Sequence, residues 1–265
     1  MQVLEAAVAA NPWPLRRARA TELAEHHPHA AEMLRLYRAL TDVQEAAYQD
    51  ARAATLPSHE IADFAATRVL PNVVDATVSS GPARLREGVI SVFCSADLVN
   101  LVQVWLDQQA LNPFETYLAR AAASPLLEAM APSPGEREGE GLSTHCPTCG
   151  GLPQLSYFAV SGEALVSGPR YLVCSRCATN WIFSRMTCAG CGESDGTKLP
   201  IFQEQEQFPH ARVDGCQTCK RYLLTLDLRR DTRAVPVVDE IAALPLDLYA
   251  HDQGFTKIAA NLMGN

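Results

Sequence analysis

Several features of common protein classes are missing from this sequence of 265 residues. It has no run of about 18 apolar residues, the length that a membrane-spanning helix needs, so we expect no membrane insertion. Positive charge is in deficit, with 22 Lys and Arg against 30 Asp and Glu, which argues against a protein that binds nucleic acid by neutralising phosphates. The first residues show no basic segment followed by an apolar one, and no secretory signal is predicted. We therefore expect a cytoplasmic protein.

Recognisable catalytic motifs are missing too. The sequence shows no nucleophile–base triad, no carboxylate pair and no glycine-rich phosphate loop, and we predict that the protein is not an enzyme. Its apolar share of 48% and charged share of 20% are those of an ordinary folded chain, so long disordered regions are not expected.

Cysteine is the residue that the sequence has in excess. Eight of its nine cysteines form four Cys-x-x-Cys pairs: Cys146/Cys149, Cys174/Cys177, Cys188/Cys191 and Cys216/Cys219. Each cysteine of the first two pairs recurs 42 residues later. The unit C-x2-C-x24-C-x2-C therefore occurs twice in tandem, which predicts a duplicated module.

These eight cysteines are predicted to be metal ligands. Two cysteines on one tight turn can bind the same ion, and a second such turn completes a tetrahedral four-sulfur site. Disulfides would need an oxidising compartment, and a repeated set of four pairs does not fit a thioredoxin-type dithiol. Four thiolates accept zinc or a single iron ion, and the spacing does not separate the two metals.

The turns themselves carry further expectations. Gly150 and Gly192 follow the first pair of each unit and permit a positive φ, whereas the second pairs lack such a glycine, so the two turns of each site are expected to differ. The 42-residue period favours sites that pair the turns sequentially. A site made of Cys174/Cys177 and Cys188/Cys191 remains open as an alternative.

The fold class is predicted as α+β and multidomain. Residues 1–140 are expected to form an all-α domain of five or six helices, 144–186 a first metal module, and 187–265 a second module with a C-terminal extension. Apolar residues at spacings of 3 and 4 predict a helix over 30–51. Further helices are expected from Ser58 as N-cap to Pro71, over 96–111, and over 114–123 with a stop at Pro125.

The remaining expectations concern the rest of the chain. The segment 131–143 is rich in Pro, Gly and acid and is predicted to be a linker. Strands are predicted over 152–160 and 170–173, flanking Gly162 and Gly168, and over 201–202 and 222–228. The segment from Val235 is expected to end a strand and continue as short helical turns. The ninth cysteine, Cys94, is predicted to be a small buried side chain.

Five sequence blocks together resemble the formate dehydrogenase accessory protein family, FdhE. They are C-P-T-C-G-G-L-P (146–153), R-Y-L-V-C-S-R-C-A-T-N-W (170–181), R-M-T-C-A-G-C-G (185–192), C-Q-T-C-K-R-Y-L (216–223) and D-E-I-A-A-L-P-L-D (239–247). As an ordered set they are specific, and they run through about half of the chain.

The resemblance implies a helical domain followed by two rubredoxin-like modules, each with one iron ion. Cys146, Cys149, Cys174 and Cys177 would hold the first ion, and Cys188, Cys191, Cys216 and Cys219 the second. It also implies a cytoplasmic assembly factor, or chaperone, that binds the catalytic subunit of formate dehydrogenase without turning over formate itself. A homodimer is left open. Two alternatives remain: a rubredoxin-type electron-transfer protein, or a zinc-ribbon module that binds protein or nucleic acid.

Overall fold

Among the described residues, those before Ala131 are mainly helical, and all strands follow after it. The computed structural model describes residues 11–131, 143–160 and 168–264, so most of the predicted linker and Gly162 lie outside the described residues. The chain divides into two units, of which the first ends at Ala131 and also includes Leu262–Gly264, while the second ends at Asn261. The predicted order of a helical region followed by a β region is confirmed.

The described part of the first unit is helical. Its helices are α1 (Trp13–His26), α2 (Ala31–Ala54), α3 (Ile61–Phe64), α4 (Leu70–Ser80), α5 (Ala83–Ser95), α6 (Leu98–Leu106) and α7 (Pro113–Met130). The stripe predicted for α2 is confirmed, since Leu34, Leu40 and Ala47 are buried. Leu40 and Ala47 belong to the hydrophobic core of this unit.

The prediction that a helix ends at Pro71 is wrong. A π-helical turn, Ala65–Val69, separates α3 from α4, and Pro71 lies in the first turn of α4. Proline is tolerated at that position because its missing N–H would have no partner in the helix anyway. Ser58 is not the N-cap that was predicted, since it begins a short 3-10 turn, Ser58–Glu60.

The expected stop at Pro125 is also wrong, because α7 continues through this proline to Met130. Proline has no N–H to donate to the carbonyl four residues earlier, that of Ala121. The buried side chain of Gln44, on α2, donates its Nε2 to this carbonyl at 3.0 Å. The helix therefore tolerates its proline because a neighbouring helix supplies the missing hydrogen bond.

Helix α5 is the least buried of the long helices, with Val89 as its one buried residue. Cys94 lies near its end and is exposed, so the prediction of a buried Cys94 is wrong. Helix α6 is shorter than predicted. Asp97 caps its start by accepting from the Asn100 N–H at 3.0 Å, and the helix ends at Leu106. No single helix among the described residues is long and apolar enough to cross a membrane; α5 and α6 reach that length only as a pair bent by 109°.

Seven strands in the described part of the second unit form one sheet. They are β1 (Pro153–Phe158), β2 (Arg170–Cys174), β3 (Asn180–Phe183), β4 (Ile201–Phe202), β5 (Ala211–Gly215), β6 (Arg221–Asp227) and β7 (Thr256–Lys257). The spatial order is β3-β2-β1-β6-β5-β4, and β7 pairs with β6. The sequence predicted β1, β2, β4 and β6 and missed β3, β5 and β7. Of the missed strands, β3 and β5 alternate in burial.

The two cysteine modules are joined within this sheet. Strands β1 to β3 belong to the first module and β4 to β6 to the second, and the strands of each module pair antiparallel with one another. Between them β1 runs parallel to β6, with Leu155 opposite Leu224. The modules therefore share one continuous sheet through a pairing that joins residues far apart in sequence.

One face of the sheet carries an apolar cluster. Two helices, α8 (Pro236–Ala242) and α9 (Leu244–Asp252), follow β6, and Leu246 of α9 packs with Leu224 and Val213. A buried ionic group lies beside it, in which Lys257 Nζ is 2.7 Å from Glu240 Oε1 and 3.0 Å from Asp247 Oδ1. These contacts fix the helices against the strands that carry the cysteine turns.

Candidate metal centres

The eight paired cysteines come together in two groups of four. Cys146, Cys149, Cys174 and Cys177 form the first site, and Cys188, Cys191, Cys216 and Cys219 form the second, with all Sγ atoms of a group within 4.8 Å of one another. This is the sequential grouping that the period of the repeat favours. The alternative that combines Cys174/Cys177 with Cys188/Cys191 is not adopted.

Each site combines one turn that precedes the strands of its module with one turn between two strands. In the first module Cys146 and Cys149 lie before β1, while Cys174 ends β2 and Cys177 lies in the turn to β3. Since β1 and β2 are antiparallel and Pro153 pairs with Cys174, both turns lie at the same end of the hairpin. The same arrangement recurs in the second module, where Cys216 directly follows β5.

The sulfur separations match a tetrahedral ion. Cys146 and Cys177 Sγ are 3.7 Å apart and Cys149 and Cys174 Sγ 3.4 Å. In the second site the separations are 3.8 Å for Cys188–Cys219 and 3.7 Å for Cys191–Cys216. A metal with bonds of about 2.3 Å to four sulfurs places them about 3.8 Å apart. All of these separations are far longer than a disulfide bond of about 2.05 Å, and the cysteines are free thiols.

All four cysteine turns have the same backbone. Cys146 N–H donates to Gly151 O at 2.8 Å, and Cys188 N–H donates to Glu193 O, 42 residues later, at the same 2.8 Å. In the second turns Cys174 N–H and Cys216 N–H donate at 2.9 Å to the carbonyls five residues ahead. The cysteine turns that repeat in the sequence therefore also repeat the same backbone hydrogen bond.

The expected difference between glycine-containing and glycine-free turns is wrong. Gly150 and Gly192 have φ of 71° and 78°, as predicted, but Ala178 and Lys220 occupy the equivalent position of the second turns with φ of 53° and 56°. An alanine or lysine in the left-handed region costs roughly 1 kcal/mol. The second turns accept this strain because the chain must turn at these residues for Cys174 N–H and Cys216 N–H to reach the carbonyls of Thr179 and Arg221.

Four thiols this close cannot all ionise without a cation. Hydrogen bonds with the Cys146 and Cys149 thiols raise the pKa of Cys174 and of Cys177. At the second site the pKa of Cys188 is also raised, and there the main cause is burial. A metal ion reverses this balance, because it binds thiolates and displaces their protons. The chemistry of each site is that of a four-thiolate cage for one ion.

The surroundings of the two sites differ. At the first site Thr179 Oγ1 lies 3.0 Å from Cys177 Sγ and donates to Thr148 Oγ1 at 3.3 Å. Cys177 is 1% exposed and Cys149 is half-buried. No cysteine of the first site is exposed, so this site is more enclosed than the second.

At the second site an arginine stands where the first has Thr179. Arg221 donates its Nη2 to Gly190 O at 2.6 Å. Burial opposes ionisation of Cys219, yet hydrogen bonds from the Arg221 backbone, Cys191 and the Arg221 side chain hold the pKa of Cys219 below its ordinary value. Cys191 is exposed and Cys219 half-buried. The second site is thus open to solvent on one side and has a cation at its edge, features that the cysteine spacing did not predict.

One further group of potential ligands has no motif spacing. His210, Asp231 and Asp239 bring ligand atoms within 4.8 Å of one another, and His210 Nε2 is 3.2 Å from Asp239 Oδ1. Asp239 Oδ2 also accepts from the Val235 N–H at 2.7 Å. The contacts of Asp239 with His210 and with the Val235 N–H hold the start of α8 beside β5.

Comparison with protein-family models gives two matches that cover the cysteine modules. The FdhE central domain matches residues 145–185, and the FdhE C-terminal domain matches residues 186–263. The border between the matches falls between the two metal sites. Residues 145–263 of this chain are thus similar to two consecutive domains of FdhE proteins. The resemblance of the sequence blocks is thereby confirmed.

Individual FdhE homologs are also similar to this chain in sequence. An FdhE homolog from Aquifex aeolicus is 29% identical over 168 residues, 63% of this chain and 58% of the relative. One from Pseudomonas putida is 31% identical over 157 residues, 58% of this chain and 48% of the relative. A homolog from Haemophilus influenzae is 32% identical over 117 residues, 44% of this chain and 37% of the relative. The matched region thus spans about half the length of these relatives.

The fold is also found in a solved structure. The crystal structure of the FdhE protein from Pseudomonas aeruginosa superposes with a TM-score of 0.68, covering 95% of each chain at 22% sequence identity. At this level of identity the likeness concerns the fold. It shows that this chain shares its fold with the FdhE protein from Pseudomonas aeruginosa.

Proposed function

We propose that this chain is a non-catalytic accessory protein of formate dehydrogenase, which binds the catalytic subunit of that enzyme during maturation in the cytoplasm. The observation that carries the proposal is the pair of four-cysteine sites, within residues that match the FdhE central and C-terminal domains. The formate dehydrogenase client follows from the family resemblance of the sequence blocks.

The composition of the sites supports a structural role over a catalytic one. A catalytic zinc site keeps one coordination position open for water or substrate, whereas four cysteines close a tetrahedral site completely. Each module is about as short as the smallest domains that fold around a hydrophobic core alone. Two ions would therefore hold the modules in shape and so present their surfaces to the client.

Iron is the metal that the family resemblance favours, with zinc as the alternative. The sulfur separations suit either ion, because both form tetrahedral sites with thiolates. Protein purified from iron-replete cells distinguishes them: ferric tetrathiolate absorbs visible light strongly, while the zinc form is colourless. Metal analysis of the same sample gives the stoichiometry.

Co-purification with the client tests the function. The tagged chain is expressed with the catalytic subunit of formate dehydrogenase from the same genome, and the bound subunit is quantified. We expect binding by the native chain, its loss in a Cys146→Ser/Cys188→Ser variant, and no turnover of formate by the purified chain alone. A chain that oxidises formate by itself, or a client that never co-purifies, would contradict the proposal.

Electron transfer is a second candidate because of the second site. Cys191 is exposed, so an iron ion bound there would lie close to the protein surface, and Arg221 would favour the more negative, reduced state of a thiolate-bound iron ion. Voltammetry of the iron-loaded protein should then give a reversible one-electron wave that shifts to lower potential in Arg221→Gln. A protein without such a wave has no electron-transfer function.

A further inference from the structure

Three arginines converge on one aromatic ring at the end of β1. The guanidinium carbons of Arg185, Arg212 and Arg229 lie 4.8, 4.9 and 5.3 Å from the centre of the Phe158 ring. Phe158 is itself only 5% exposed, and the cation–π contacts fix the arginines in place. Because the three guanidinium groups lie around one ring, the distances between them are comparable with the Debye length of about 8 Å. Their positive electrostatic potentials therefore add with little screening by salt.

Carboxylates compensate this charge only in part. Asp227 accepts two hydrogen bonds from Arg229, at 2.7 and 2.6 Å, and lies 4.0 Å from Arg230. Asp214 contacts Arg212 at 2.9 Å and Arg170 at 3.2 Å. Each aspartate is therefore shared between two arginines.

Arg185 has no carboxylate partner among the described residues. Its Nη2 group donates to the Gly168 carbonyl, so no carboxylate of the described ranges neutralises the guanidinium. The neighbouring side chains remain within reach of solvent, with 27% of Arg212, 39% of Arg229 and 51% of Arg230 exposed. We call these four residues (Arg185, Arg212, Arg229 and Arg230) the arginine surface.

We propose that the arginine surface is a docking site for an acidic segment of the client polypeptide. The chain as a whole has a net charge of −8, so a locally positive surface selects a partner by charge complementarity. Guanidinium groups that are already oriented by a ring lose little entropy on binding carboxylates. The identity of the partner rests on the proposed function, whereas the chemistry of the surface does not.

A labelled oligoglutamate peptide is the probe for this chemistry. Its fluorescence anisotropy is followed during titration with the full chain at low and high salt, about 50 and 300 mM. We expect saturable binding that weakens with salt, and a loss of about tenfold in affinity for Arg185→Gln, as one charge-assisted contact disappears. Arg185→Lys keeps the charge and should retain most of the affinity.

Arg52→Gln is the matched control, because the Arg52 guanidinium lies 5.7 Å over the Tyr48 ring in the helical unit and so has similar chemistry elsewhere. Its affinity should equal that of the native chain. Absence of saturable binding, or equal affinities for Arg185→Gln and Arg52→Gln, would overturn the proposal. Tighter binding of an oligo-dT of equal charge would replace the acidic polypeptide with a nucleic acid.

Co-purification separates this inference from the proposed function. If the client binds the native chain and Arg185→Gln equally well, the arginine surface is not its docking site, while the accessory function stands. If the client binds neither but oligoglutamate binding depends on Arg185, the surface stands and the assignment of the client fails.

Discussion

The two metal sites should release their ions at different rates. Release begins when one thiolate moves away from the ion into solvent. At the first site the most accessible ligand is Cys149, the equivalent of Cys191, and it is half-buried, so its release must expose apolar surface. At the second site Cys191 is already exposed and can leave at little cost.

The size of the difference follows from this burial. Burial of a small apolar side chain contributes about 1 kcal/mol. If opening limits release, about 1 kcal/mol corresponds to about fivefold slower release from the first site. Zinc-loaded protein mixed with an excess of a chromogenic chelator should therefore show two equal phases.

Single variants assign the phases. Cys191→Ser retains the first site and should show the slow phase alone, whereas Cys149→Ser, its equivalent 42 residues earlier, should show the fast phase alone. Equal rates for the two variants, or a slow phase that belongs to the second site, would refute the link between exposure and release. Simultaneous loss of both ions in either variant would show that the sites are not independent.

Three further variants test the contacts that support the fold, each measured by thermal or denaturant unfolding. Gln44→Met leaves a buried carbonyl of α7 without its donor and should destabilise the protein by about 1–3 kcal/mol, while Gln49→Met on the exposed side of α2 should change little; equal effects would contradict the role given to Gln44. Lys257→Met leaves two buried carboxylates without their cation and should cost about 3–5 kcal/mol; a neutral result would mean that this group is not held as an ion cluster. Ala178→Gly should relieve a positive φ and stabilise the metal-loaded protein by about 0.5–1 kcal/mol. The control Ala46→Gly, in the middle of α2, should destabilise it by about 1 kcal/mol; loss of stability in Ala178→Gly would argue against strain in the turn.

The cysteine clusters could be predicted because their signal is local. Ligand spacing within each turn and the 42-residue period are both properties of the sequence alone, and together they favoured the grouping found in the structure. The positive φ at Gly150 could be predicted for the same reason. The positive φ at Ala178 could not, since no residue type announces it there and the turn is imposed by hydrogen bonds to its neighbours.

Features that depend on distant residues escaped prediction. Pro125 marks a helix end on any local criterion, and only the side chain of Gln44, brought up by another helix, removes the penalty. The parallel pairing of β1 with β6 joins two modules that the sequence presents as separate. Cys94 lies among apolar residues, yet α5 buries only Val89, so its exposure is a matter of how helices pack.

The central claim is that eight cysteines hold two ions in two four-sulfur sites. X-ray absorption spectroscopy at the metal edge, combined with metal counting on the purified chain, tests it directly. We predict two ions per chain, each with four sulfur neighbours at about 2.3 Å and no nitrogen or oxygen ligand. A single ion per chain, or a first shell that contains nitrogen or oxygen, would contradict the account.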